Sequence, residues 1–176
     1  RVSLENFGVS TPTTELTKQV IDVTRPNVSF EQMTIDVYNS RVYLAGKHTW
    51  EPIVLNLRED VNNNVQKLVG EQLQKQFDFY EQSSAASGQD YKFVTRIEIL
   101  DGGNGANVPN VLETFELYGC YVESANYNSL AYSNSTDPVS VTLNIRYDNA
   151  LQSPQGTGIG TAVGRTVNTS VTGGGV

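Results

Sequence analysis

The chain has one cysteine, Cys120, and one histidine, His48. A disulfide framework and a multi-cysteine zinc site are therefore excluded, and a catalytic triad or multi-histidine metal centre has only His48 to draw on. Cationic side chains are also scarce: 12 Lys and Arg stand against 19 Asp and Glu, a formal net charge of −7. Such a surface matches the phosphates of DNA or an anionic membrane poorly, so any relation to nucleic acid is expected to be non-adhesive. No apolar run reaches the roughly 18–20 residues that span a bilayer, and the N-terminus has no basic segment followed by an apolar one. The expectation is a soluble chain without a cleaved export signal. At 176 residues it is long enough to bury a core without covalent staples, and one domain is the default.

The pattern that is present organises around residues 42–82. Ile53, Leu55 and Leu57 alternate with Val54, Asn56 and Arg58, the period of a strand with one buried face. Glu59 and Asp60 place negative charge where a helix start favours it. At 100° per residue, Val61, Val65, Leu68, Val69, Leu73, Phe77, Phe79 and Tyr80 then share one half of a helix, and Lys67, Glu71, Gln74, Asp78 and Glu81 the other. The reading is a strand followed by a covering helix over about residues 60–83.

Around this unit the chain reads as strand and loop. Residues 1–27, punctuated by Pro12 and Pro26, read as an N-terminal arm with a short edge strand near 16–23. Residues 28–38 (VSFEQMTIDVY) alternate, with Met33, Ile35 and Val37 on one face and Gln32, Thr34 and Asp36 on the other. Asn39 and Ser40 make a turn, and Ala45, Gly46, Lys47 and His48 read as a tip before a strand starting at Thr49. Pro52 predicts a bulge or an edge near that strand's start. Residues 92–100 and 139–147 are alternating strands. Gly119, inside the run 111–123, predicts a bend. From 151 to 176 Gly, Thr, Ser and Val dominate without periodicity, a tail that needs a neighbouring surface to order it. Together these predict a mainly β domain, residues 28–150, of two packed antiparallel sheets in a β-sandwich or barrel-like arrangement with one flanking helix.

Tests for chemistry return little. Any carboxylate pair for acid–base work has to be chosen arbitrarily. Asp101-Gly-Gly-Asn-Gly105 lacks the spaced acidic series of a calcium loop. The glycine run at 156–164 lacks the strand and helix that a dinucleotide loop requires. No catalytic, cofactor-binding or metal residues are assigned, and an enzyme is the least favoured reading.

The run AGKHTWE at 45–51, the strand and helix after it, the small-residue turn 85–88, the Leu117-Tyr-Gly119-Cys-Tyr121 bend and the closing strand 139–150 resemble the tail tube proteins of contractile-tailed bacteriophages, T-even-like myophages among them. The resemblance covers about 26–150, and the family is related to type VI secretion tube proteins. It implies a structural, non-enzymatic subunit forming hexameric rings stacked into a hollow tube in the virion tail, assembled in the host bacterial cytoplasm. Sheath and baseplate proteins are the implied partners, and double-stranded DNA passes through the lumen during ejection without specific binding. On this reading Asn56, Arg58, Arg96, Glu98, Thr114 and Glu116 face the lumen. Ala45, Gly46, Lys47, His48 and Thr49 contact the next ring, and Lys67, Glu71, Gln74 and Asp78 form the outer helix face. The alternatives are the tube of a type VI secretion or extracellular contractile injection system, which passes proteins; a baseplate tube initiator; and a monomeric carbohydrate-binding β-sandwich using Tyr127 and Tyr132 as a sugar platform.

Overall fold

The computed structural model describes residues 1–9, 13–103, 108–131, 138–153 and 158–160. Among these, twelve strands and two helices are arranged as a β structure in which every strand pairing is antiparallel. The strands are β1 Val2–Glu5, β2 Thr13–Glu15, β3 Val20–Val23, β4 Val28–Val37, β5 Ser40–Trp50, β6 Ile53–Arg58, β7 Phe77–Asp78, β8 Ser83–Ser84, β9 Phe93–Leu100, β10 Val111–Asn126, β11 Ser140–Arg146 and β12 Asn149–Ser153; the helices are α1 Asn64–Gln76 and α2 Gly88–Tyr91.

The organising strand is β10. Its first half lies between β9 and β12, and its second half pairs with β11, which continues through β6 to β3. One sheet is thus β2-β1-β9-β10-β12, the other β10-β11-β6-β3, and β10 belongs to both. The transfer occurs at Gly119, whose φ is +68°, a left-handed conformation that costs glycine nothing. The strand paired with it turns at the same place, because β11 gives way to β12 through Tyr147 and Asp148, and Asp148 N–H donates to Tyr118 O at 3.0 Å. The bend expected at Gly119 is present as the corner between the sheets.

Alternation puts the core where the sequence places it. Ile53, Leu55 and Leu57 of β6 face Val141, Leu143 and Ile145 of β11 and Phe93, Ile97 and Leu117 of the other sheet, all buried. Helix α1 closes this core with Val65 and Val69. It starts later and ends earlier than the periodicity predicts. Asn63, left-handed at φ +54°, precedes its first turn, and the Glu59 carboxylate accepts from Gln66 N–H at 3.1 Å. At the far end the Asp78 carboxylate accepts from Tyr80 N–H and Glu81 N–H, a local turn that competes with helix. Phe77 and Asp78 instead pair with Ser84 and Ser83 as a small ladder, leaving Phe79 and Tyr80 exposed rather than on a core stripe.

Residues 1–27 differ most from expectation. They supply three strands, and Val2, Leu4, Phe7 and Leu16 are buried. Phe7 meets Phe93 edge to face at 4.9 Å. No periodicity announced this, because each strand is only three or four residues long. The start of the expected tail is also part of the body: Leu151 and Ser153 pair with Glu116 and Thr114, and Gln152 N–H donates to Ile159 O. The remainder of the tail lies outside the described residues.

Candidate functional site

The feature that stands apart from the core is the β4–β5 hairpin. Among the described residues these two strands pair only with each other, and nearly all their residues are exposed. The register fixes two faces, because directly paired residues point the same way. Met33 with Leu44 and Ile35 with Val42 make one face; Gln32 with Ala45, Thr34 with Tyr43 and Asp36 with Arg41 make the other. The second face is tied by an Arg41–Asp36 ion pair at 2.9 Å. The first is aliphatic, and Met33, Ile35, Val37, Val42 and Leu44 are each 45–54% exposed. Five large aliphatic side chains, contiguous and half bare, make this face the candidate contact surface.

The hairpin's turn is at Tyr38 and Asn39, Tyr38 taking φ +49°. The expected tip at Ala45, Gly46, Lys47 and His48 is corrected: these residues and Thr49 lie inside β5. The register passes from Phe30↔His48 to Gln32↔Ala45, so Gly46 and Lys47 oppose the single residue Glu31 in a bulge. Glycine is required there, since a Cβ on Gly46 meets Glu31 O at 2.8 Å. At the root, Trp50 packs against the core and its ring lies 5.6 Å from Tyr147. His48, exposed, stands edge-on to Trp50 at 6.1 Å. Burial pushes the Tyr147 phenol up to about 12. Pro52 ends β5 and separates it from β6, as the missing N–H requires.

The expected lumen residues fall on two faces rather than one. Arg96, Glu98, Thr114 and Glu116 are brought together on the outer side of β9 and β10: Thr114 pairs with Glu98 and Glu116 with Arg96. Arg96 bridges Glu5 at 2.9 Å and Glu116 at 3.0 Å, while Arg1 pairs with Glu98 at 2.8 Å. The Glu116 carboxyl is held below its ordinary value of 4.5 chiefly by the hydrogen bond from Tyr118 O–H, with Arg96 adding to it. Asn56 and Arg58 sit on the outer side of the other sheet. Asn56 accepts from the Thr142 hydroxyl at 2.6 Å, and Arg58 donates to Lys18 O. Since the sheets share one core, these faces look away from each other.

On the helix, Lys67 and Gln74 are exposed. Glu71 is turned toward the N-terminal segment, where it accepts from Val9 N–H at 3.2 Å, and Asp78 belongs to β7 rather than α1. Sequence reasoning missed Gln72, which is fully buried. Its amide accepts from Gly8 N–H and donates to Tyr91 O at 2.7 Å, fastening the N-terminal segment and α2 to α1. The one available signal is a Gln on the apolar half of the helix, shared with Gln76, whose amide exchanges hydrogen bonds with the Val122 backbone.

Cys120 is buried, and desolvation raises its thiol to about 11 from 9.0. The thiolate fraction is then about 100-fold below that of a free thiol. Iodoacetamide at pH 8 is expected to leave the native protein unlabelled and to label it once urea unfolds it; rapid native labelling would contradict this burial. Among the described residues, no group of three His, Cys, Asp or Glu is placed to hold a metal, and no helix is long and apolar enough to cross a membrane. Tyr127 is half-exposed; Tyr132 and most of the 156–164 glycine run lie outside the described residues.

No family model matches the chain, and no curated protein matches it in sequence. Solved structures do match in fold. A chain of the anti-feeding prophage baseplate, determined with 6-fold symmetry, superposes with a TM-score of 0.58 at 13% identity, over 86% of this chain and 91% of that one. A chain of the cap that terminates the anti-feeding prophage tube gives 0.59 at 10% identity, over 86% and 87%. A chain of the sheath-tube complex of an extracellular contractile injection system in its extended state gives 0.57 at 13%, over 86% and 87%. The chain has the fold of tube and tube-terminator proteins of contractile injection systems.

Proposed function

We propose that this chain is a structural, non-enzymatic subunit of a contractile tail or injection tube, assembling with copies of itself into hexameric rings that stack around a lumen. The observation that carries the reading is the β4–β5 hairpin, an arm with a bare aliphatic face on a body in which, among the described residues, β3 stands as a sheet edge. An open edge and a bare apolar face are both liabilities in a monomer, and both are removed by packing against further copies. The fold likeness supports the same reading.

The lumen wall on this proposal is one of the two polar sheet faces, either Asn56 and Arg58 or Arg96, Glu98, Thr114 and Glu116. On the second, Arg96 and Arg1 are paired with carboxylates, which leaves little free positive charge to hold a passing polyanion; on the first, the cation is Arg58. Double-stranded DNA sliding during ejection is the cargo that a phage tail implies. A protein cargo is the second reading, favoured by the likeness to chains of extracellular contractile injection particles. The hairpin, including Ala45, Gly46, Lys47, His48 and Thr49, contacts the neighbouring ring, and Lys67, Gln74 and Asp78 lie toward sheath or baseplate proteins.

Negative-stain microscopy of the purified chain tests this. Rings or tubes roughly 10 nm across are expected from a closed barrel surrounded by one further sheet and helix layer. A homogeneous monomer at high concentration by light scattering overturns it.

A further inference from the structure

A second apolar surface lies on the same body. Where β3 ends its sheet and does not reach β1 or β9, a groove of about 460 Å³ opens. Val20, Ile21 and Val23 form one wall and Ile97 and Ile99 the other. Ile21 is 57% exposed within it, and Arg25 stands on its rim. Beside it runs the outer edge of β3, which among the described residues pairs with a strand on the β6 side alone, its Val20 N–H turned back to Leu16 O at 3.0 Å.

We propose that the aliphatic face of the β4–β5 hairpin seats in this β3/β9 groove of a second copy of the chain. The proposal rests on the tube reading and specifies how neighbouring subunits engage. The two surfaces match in chemistry. The hairpin presents Met33, Ile35, Val37, Val42 and Leu44, and the groove presents exposed Ile21 with half-buried Val20, Val23 and Ile99 over buried Ile97. Strand alternation puts Glu31 on the hairpin face that carries Met33, where it meets Arg25 on a rim that also carries Asp22 and the Arg1–Glu98 ion pair.

A chain cannot make this contact with itself. Only residues 24–27 separate β3 from β4. Thr24 N–H is bonded to Val54 O, Glu51 N–H to Asn27 O, and Pro26 is buried. The hairpin therefore leaves the body on a short, pinned root that does not let it fold back over β3. Because hairpin and groove are different surfaces of one chain, the contact is head-to-tail, the kind that generates closed rings or open filaments instead of isolated dimers.

The test uses the full chain carrying Ile21→Cys and Leu44→Cys together, oxidised after assembly and run on a non-reducing gel, with particles examined in parallel by microscopy. Buried Cys120 stays out of the reaction. A ladder extending beyond the dimer is expected, absent from either single variant. A band that stops at the dimer overturns the proposal, because it reports a symmetric contact. So does an uncrosslinked monomer, or a loop closed within one chain, from particles that do form rings; in those cases the tube reading stands and only the groove is wrong. If no particle forms from the unsubstituted chain, the tube reading falls as well. The pair Val23→Cys and Ile35→Cys provides a second sampling of the same contact, and failure of both pairs to link assembled subunits rejects it.

Discussion

A chain carrying Ile35→Lys and Leu44→Glu melts with the parent but does not assemble. The two positions lie diagonally across the hairpin ladder on its aliphatic face, so opposite charges there support the ladder and leave net charge unchanged. Neither side chain touches the buried core, which holds the stability change to about 0.5 kcal/mol. Assembly behaves differently. Covering the exposed part of each aliphatic side chain is worth about 1–1.5 kcal/mol, and seating unpaired charges in an apolar contact adds a further penalty. A total of at least about 3 kcal/mol per contact raises the concentration needed for association by roughly 100-fold or more. Sedimentation of parent and variant over a concentration series checks this. Assembly at parental concentrations removes the hairpin face from the interface. A large drop in melting temperature places that face against its own body.

Gly119→Val is expected to be the costliest substitution per atom added. A β-branched residue at φ +68° is far from its allowed region, and the left-handed backbone alone costs about 1–2 kcal/mol. The new Cβ also runs into the Asp148 carboxylate, displacing it from its ion pair with Lys92. Together these reach roughly 3 kcal/mol, a fall in melting temperature of about 6–12 °C for a domain of this size. Gly119→Ala combined with Asp148→Ala relieves the collision but keeps the backbone strain, so it recovers only part of the loss. A Gly119→Val chain within 1 kcal/mol of the parent in urea denaturation, against that ~3 kcal/mol expectation, shows that glycine does not set the corner.

What was legible in the sequence follows the strength of local periodicity. Strands β9 and β11 have long alternating runs and were readable to within a residue or two, as was the apolar face of β4; β6 was expected from Thr49 but begins at Ile53, because Pro52 breaks the run. The Gly119 bend was readable because glycine inside an apolar strand run has few other uses. Of the N-terminal strands, β3 was readable as the short edge strand near 16–23, but β1 and β2 were not, since Val2, Leu4 and Phe7 are too few to show a period and are buried only through partners more than sixty residues away. The α1 boundaries shifted because Asn63 and Asp78 favour local turns that a moment calculation does not see. The expected tip at Ala45–Gly46–Lys47–His48 failed for a related reason: Gly46 marks a turn in many chains, but here it lets a bulged strand pass close to Glu31 O. Sequence alternation assigned Asn56 and Arg96 to polar faces correctly in kind, but whether two polar faces coincide is a property of topology, which alternation does not carry.

The isolation of the β4–β5 ladder has a further consequence. A two-stranded ribbon that pairs with nothing else is only marginally stable in water, so in the free subunit this arm opens and recloses far more often than the body behind it. Amide exchange there is fast until another copy covers the strands. Ordering the arm is then a cost met only on contact, which makes the first association events unfavourable and later ones, onto arms already held, easier. Under the proposed assembly, growth from such a subunit is expected to show a concentration threshold that a preformed surface already holding a first ring of arms removes.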